Sequence, residues 1–375
     1  MVVVISVSIL AVVLTYLSSR SKRNQRSLFV LAFFLVTILQ VIHYDYGTDY
    51  MGYLGDHMLY NKSWDELLYL RRIRHGAFKD MGWVLIQMLF PGKYGFFLFV
   101  GIISIIQNYI YYVLIRDYVV LSDRWKAMTI YLFMTNYYIL NFSGIRQGFA
   151  VALCIGAILL ALKGKLWVAI AIALLAASIH ISSIVFLPFL FLSKLKLRRG
   201  RLFAVFFTAV AAALYLSTTL LGDIYTKIIG LFPLLSRNYG HYIKMMSAAG
   251  GSLGFGFLMN SIMYIIIIYF IYKRFEEFTQ EQKIFMMLIC VSFLLIPFST
   301  HLSGIISRLG TYFTVFEIVA VPLVYSKIRN KIARTGAGAV YVFMMMYSYY
   351  EFFFVSEWSS ESYATFKTIF SAILE

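Results

Sequence analysis

One arginine stands where a membrane-spanning helix would begin. In "NFSGIRQGFAVALCIGAILLAL", residues 141–162, Arg146 precedes a long apolar run. A guanidinium at that depth is costly in lipid, so it calls for a polar partner or an anionic ligand. The N–H groups and dipole at the start of a helix also favour an anion there. Snorkelling to the headgroups, or pairing with an acid for packing, would explain the same residue. Gly144 and Gly148 flank it at small-xxx-small spacing, which lets a neighbouring helix or a ligand approach closely.

Other residues could join such a site. Arg308, in "HLSGIISRLGTYF", repeats the theme with Gly304 and Gly310 nearby. His180, in "ASIHISS", marks the turn between two short apolar segments, where an imidazole serves either structure or proton transfer. Asp45, Asp49 and Asp56 are interleaved with Tyr46, Tyr50 and Tyr53. A carboxylate among hydroxyls suits a general base, and equally a solvated loop. Glu317 lies within an apolar run and calls for a partner on another helix, such as an arginine. "GGSLGFG" (250–256) lacks the Gly-Lys-Ser/Thr ending of a phosphate loop, and His-x-x-x-His spacing is absent. Cys154 and Cys290 both lie in apolar runs, so neither a disulfide framework nor a zinc site is expected. No metal or cofactor is expected.

The elements that would carry these residues are membrane helices. Of 375 residues, 61% are hydrophobic and 13% charged, against about 25% charged in a soluble domain. Repeated apolar runs predict an all-α polytopic membrane protein of about 12 transmembrane helices, at 1–17, 27–43, 94–115, 127–142, 144–162, 166–179, 181–192, 202–221, 255–272, 284–300, 305–325 and 335–354. Positive charge follows the first apolar run rather than preceding it, so no cleavable signal peptide is expected. The whole chain, 1–375, reads as one polytopic domain with two large external loops, 44–93 and 222–254. Alternate connections (18–26, 116–126, 163–165, 193–201, 273–283 and 326–334) hold 21 of the 33 Lys and Arg, which places them in the cytoplasm. The net charge of +16 is thereby explained without nucleic acid. The remaining basic residues, among them Arg71, Arg72, Arg74, Arg146 and Arg308, fall in or beside external segments, as do all six histidines.

The stretch 141–190 resembles the signature of the EpsG-like branch of the Wzy polysaccharide polymerases. An "N-x-x-R-Q-x-x-A" opening is met by Asn141 (spaced one residue wider), Arg146, Gln147 and Ala150, followed by the "KGK" turn, His180 and Ser182–Ser183. A "D-Y-x-x-Y" motif is met by Asp49, Tyr50 and Tyr53, and an acid-x-Gly-aromatic motif by Asp80, Gly82 and Trp83. "ISRLGTYFTVFEIVAVPLVY" is similar to the family's Arg-containing helix and places Arg308 there. The family's C-terminal "P-Y" is absent; "ESYATF" keeps only the Tyr.

The resemblance implies a glycosyltransferase that joins oligosaccharide repeat units carried on undecaprenyl diphosphate. It would act at the outer face of the bacterial cytoplasmic membrane, alongside a flippase and a chain-length regulator. Arg146, Arg308, Arg71, Arg72 and Arg74 would grip diphosphate. His180 or Asp49 would deprotonate the acceptor hydroxyl, and Tyr50, Tyr53, Trp83, Asp80 and Gln147 would bind sugar. Two other readings share some features: a ligase for finished polysaccharide, and a transporter of the lipid-linked unit. A transporter would spread its polar residues through both halves of the membrane, whereas here the span-embedded charges other than Glu317 sit near the outer end.

Overall fold

The computed structural model describes all residues except 61–79, 201–202, 204, 208, 211–254, 296–307 and 375. Loop 222–254 and the arginines at 71, 72 and 74 lie outside the described residues. The chain divides into two compact units, residues 1–193 with 317–375, and residues 194–316. The signature stretch 141–190 belongs wholly to the first.

In that first unit, α1 (Val2–Arg20) and α2 (Gln25–Ile42) form a hairpin. The Ser18 hydroxyl closes it by donating to the Gln25 carbonyl. A two-residue strand, β1 (His43–Tyr44), leads to α3 (Tyr50–Tyr60). After the undescribed stretch come α4 (Met81–Gln87) and the long α5 (Gly92–Tyr118). Phe29 and Phe33 of α2 pack on Tyr112 of α5, which joins the first hairpin to the long helix. Next come α6 (Arg124–Phe133), the single turn α7 (Leu140–Ser143), α8 (Ile145–Leu162) and α9 (Leu166–Ile179). Gly164 turns the chain between α8 and α9 at φ +80, a region open to glycine. A 3-10 segment, Ile181–Lys194, follows and contains Pro188, which has no N–H to donate to a regular helix.

The second unit holds α10 (Phe255–Arg274) and α11 (Gln280–Leu295). Lys283 bonds Glu276 at 2.6 Å at their junction. The chain returns to the first unit with α12 (Glu317–Lys327), α13 (Lys331–Tyr350), α14 (Glu357–Ser362), β2 (Lys367–Thr368) and α15 (Ile369–Leu374). Five π-helical residues, Glu351–Val355, extend α13.

The protein is an all-α membrane protein. Among the described residues α1, α2, α5 and α8 are long and apolar enough to span, and a fifth span counts if residues 308–314 and α12 are taken together. Not every apolar run expected to span is one straight helix. Residues 127–142 break into α6 and α7, because the Tyr138 N–H turns back to the Tyr131 carbonyl and the Tyr138 hydroxyl is drawn to the Val36 carbonyl of α2. Large apolar side chains such as Phe34, Leu98, Ile105 and Trp167 point outward, as lipid-facing residues do. Among the four described spans α8 is the most enclosed: 72% of its apolar window is buried, against 28% for α1. The arginine-bearing helix therefore runs through the middle of its unit.

The two ends of this unit differ. At one end Arg116, Asp117, Arg124 and Lys163 gather: Arg124 donates to the Arg116 carbonyl, and Lys163 lies 3.6 Å from Asp117. At the other end β1 pairs antiparallel with β2, with His43 opposite Thr368. There Lys367 bonds Asp45 at 2.6 Å, the N-terminal ammonium donates to the Ala364 carbonyl, and Lys93 donates to the Ala372 carbonyl. The first end gathers segments expected in the cytoplasm, and the second gathers segments expected outside.

Candidate functional site

Asp80 is the centre of a charged cluster. It precedes α4, and its Oδ1 accepts the Ile181 N–H at 3.0 Å. Its Oδ2 lies 3.0 Å from Arg146 Nη1 and 3.7 Å from His180 Nδ1. The first distance is a charge-assisted contact, and the second is within ion-pair reach but longer than a hydrogen bond. The Asp80 side chain is 1% exposed, that of His180 12% and that of Arg146 31%. One carboxylate thus touches an arginine from α8 and a histidine from the end of α9.

Local packing brings these elements together. Gly82 stands two residues after Asp80, and a Cβ there would come within 2.1 Å of the Ser178 hydroxyl. Only a glycine lets α4 lie this close to the end of α9, so Gly82 sets the approach of Asp80 to His180. Gly148 does the same on α8: a Cβ would meet the Asn141 side-chain oxygen at 2.1 Å and Gln107 Nε2 at 3.1 Å. The start of α8, where Arg146 stands, is thereby seated against α7 and α5. The Tyr53 ring lies under the Arg146 guanidinium, 5.8 Å from its centroid, and meets Trp83 edge-on.

Burial alone would raise the Asp80 pKa. The His180 contact, the Arg146 charge and the Ile181 N–H outweigh it and hold the carboxyl below its ordinary value. Asp80 is therefore ionised at neutral pH. Its contribution to stability is complete above the ordinary carboxylate range and is lost only as pH falls through the lowered value.

The other expected site residues fall into three groups. Asp49 is exposed and sits at the start of α3, where its N–H donates to the Ser143 hydroxyl at 3.1 Å. Thr48 meets the same hydroxyl at 2.7 Å, so Ser143 ties the aspartate loop to the turn before Arg146. Gln147 follows Arg146 in the first turn of α8 and is half-buried. Tyr50 and Trp83 are 0% and 2% exposed. Tyr50 packs edge-on against His43 and Phe96, and Trp83 against Phe99. Their rings belong to the core, while Tyr53 is half-buried beside the arginine. Arg308 is exposed on the second unit. Glu317 accepts the Tyr341 hydroxyl at 3.1 Å.

Gly47 was not singled out from sequence, nor were the backbone turn at Asp45 and the contact that Tyr363 makes. Gly47 has φ +117, its N–H donates to the Ser362 carbonyl, and a Cβ there would come within 2.8 Å of Ser143 Cβ and 3.1 Å of the Tyr363 hydroxyl. Asp45 also has a positive φ, 48. The tail tyrosine Tyr363 packs edge-on against Tyr46. A glycine between two Asp-Tyr pairs in "DYGTDY" was the available signal for the turn; for the tail it was the tyrosine kept in "ESYATF". No group of three or more His, Cys, Asp or Glu that could hold a metal ion occurs among the described residues.

A scan of protein families matches this chain to the EpsG family over residues 26–368. No curated protein and no solved structure matches it.

Proposed function

The chain belongs to the EpsG family, and from that premise we propose that it is a polysaccharide polymerase using undecaprenyl-diphosphate-linked oligosaccharide as donor. Family membership points to a polysaccharide polymerase role. The donor, the topology of about twelve spans, the site facing outward from the bacterial cytoplasmic membrane, and a flippase and chain-length regulator as partners are our reading. What supports it above all is the cluster in which Arg146, His180 and Asp80 meet.

Arg146 binds the lipid diphosphate. A guanidinium offers a fork of five donors matched to phosphate oxygens, and it stabilises charge that grows as the diphosphate leaves. His180, beside a buried carboxylate, accepts the proton of the acceptor hydroxyl. Asp49 is the other candidate base, and its exposed position next to Ser143 suits contact with sugar hydroxyls equally well. Tyr53 and Gln147 line the sugar side, while Tyr50 and Trp83, buried as they are, position Tyr53 and α3 rather than stack on sugar. Arg308 and the arginines at 71, 72 and 74 are diphosphate candidates on the strength of the sequence alone.

The test is the lipid-linked product of a deletion strain. A polymerase deletion leaves single repeat units on the lipid and no ladder. Long lipid-linked polymer in that strain would assign the protein to ligation instead. An unchanged ladder would remove it from polymer synthesis altogether.

A further inference from the structure

The same Asp80 oxygen serves both Arg146 and His180. We propose that Asp80 is a transferable counter-ion, which holds Arg146 until the donor arrives and passes to His180 when Arg146 closes on the lipid diphosphate. This rests on the diphosphate reading above and adds to it how donor binding is coupled to proton transfer.

The geometry separates the fixed partners from the movable one. Asp80 is 1% exposed and anchored through Oδ1 by the Ile181 N–H. His180 immediately precedes Ile181, so the same stretch of backbone that anchors the acid holds the imidazole beside it. Arg146 approaches from a separate helix with 31% of its side chain exposed. When Arg146 turns to a diphosphate, the carboxylate stays behind. A buried carboxylate that loses its cation is costly, and a proton on His180 offsets that cost. Donor binding thereby strengthens the base that the reaction needs.

The step balances as follows. The acceptor hydroxyl gives its proton to His180, and its oxygen forms a bond to the donor's anomeric carbon. The bond from that carbon to the diphosphate oxygen breaks, and its electron pair leaves with the lipid diphosphate held by Arg146. Asp80 faces the imidazolium until the proton passes to water. His180 and Arg146 are the catalytic residues, and Asp80 is a positioning residue that acts through both.

The experiment measures binding of undecaprenyl diphosphate to the full-length protein in nanodiscs, together with polymer formation in complemented cells. Asp80→Asn keeps an acceptor for Ile181 but removes the competing charge. It should bind the lipid diphosphate about fivefold tighter than wild type, as expected when one partly exposed ion pair no longer competes, and should make about tenfold or more less polymer. Asp80→Glu should restore part of the polymer. Inorganic pyrophosphate should rank the variants in the same order, and a reversed order contradicts the proposal. Equal or weaker binding by a folded Asp80→Asn overturns the counter-ion transfer. If Arg146→Ala binds as well as wild type, the diphosphate reading itself fails. A further measurement needs no Asp80 variant: in histidine-labelled wild type, the His180 ring resonance, assigned through His180→Gln, should move on adding undecaprenyl diphosphate. A stationary signal contradicts the transfer.

Discussion

Gln40, Gln107, Asn108 and Tyr131 tie α2, α5 and α6 together inside the first unit, whereas Asp80, Arg146 and His180 meet toward the end where β1 pairs with β2. In the first cluster Gln40 donates to Gln107 at 2.9 Å, Asn108 donates to Gln40 at 2.7 Å, and Tyr131 donates to Asn108 at 2.9 Å. All four residues are buried and neutral. In the second, an ionised acid faces one cation that is nearly a third exposed and a histidine that is nearly buried. The neutral cluster is a chain of short hydrogen bonds, which in a low-dielectric interior fixes helices in one arrangement. The charged cluster holds a guanidinium that is partly exposed, and in the proposed mechanism the lipid diphosphate takes the place of its carboxylate partner. Polar groups in the same bundle thus take two forms, one a framework and the other, in the mechanism proposed above, the chemistry.

Substitutions can break that contrast or sharpen it. The largest effect is expected from His180→Ala, which removes the proposed base and should reduce polymer formation by about 10²–10⁴-fold at equal membrane level. Asp49→Asn should have a clearly smaller effect. If the two are reversed in polymer assays, the proton acceptor is Asp49. Gly82→Ala comes next. It presses on Ser178 and displaces Asp80, with a cost of about 1–3 kcal/mol for overpacking and a shortened ladder. Adding Ser178→Gly should recover part of the polymer, and no recovery would show that Gly82 acts by another route.

Asn108→Leu tests the framework side. It leaves Gln40 and Tyr131 short of a partner and should lower stability by about 1–3 kcal/mol. Thermal melting in detergent should fall, while polymer made per folded molecule stays near wild type. A selective loss of activity would place this network in the mechanism. The smallest effect is expected for Lys367→Ala, whose half-exposed pair with Asp45 contributes at most about 1 kcal/mol. Melting and ladder should both be nearly unchanged.

The sequence carried the membrane-helix character and the grouping of ends, because hydropathy and charge act locally and repeat along the chain. It also singled out Arg146, His180 and Asp80, each through a short motif. What it did not carry is that Asp80 stands between the other two, since no local pattern relates position 80 to positions 146 and 180. The sugar role expected for Trp83 and Tyr50 came from their aromatic type. Their burial depends on Phe96 and Phe99 of α5, which sequence spacing does not bring beside them. Similarly, "IYLFMTNYYILNF" reads as one span by composition. The backbone turn at Tyr138 depends on a tyrosine hydroxyl finding a carbonyl of α2. The same limit hid what Tyr363 touches, since its partner Tyr46 lies at the far end of the chain.

The most direct test of the central claim is a gel of surface polysaccharide from a deletion strain carrying wild type or Arg146→Ala, with membrane levels matched by immunoblot. The account predicts a ladder with wild type and only single repeat units with the variant. A normal ladder from Arg146→Ala would make the arginine a structural partner of Asp80 and contradict the diphosphate site.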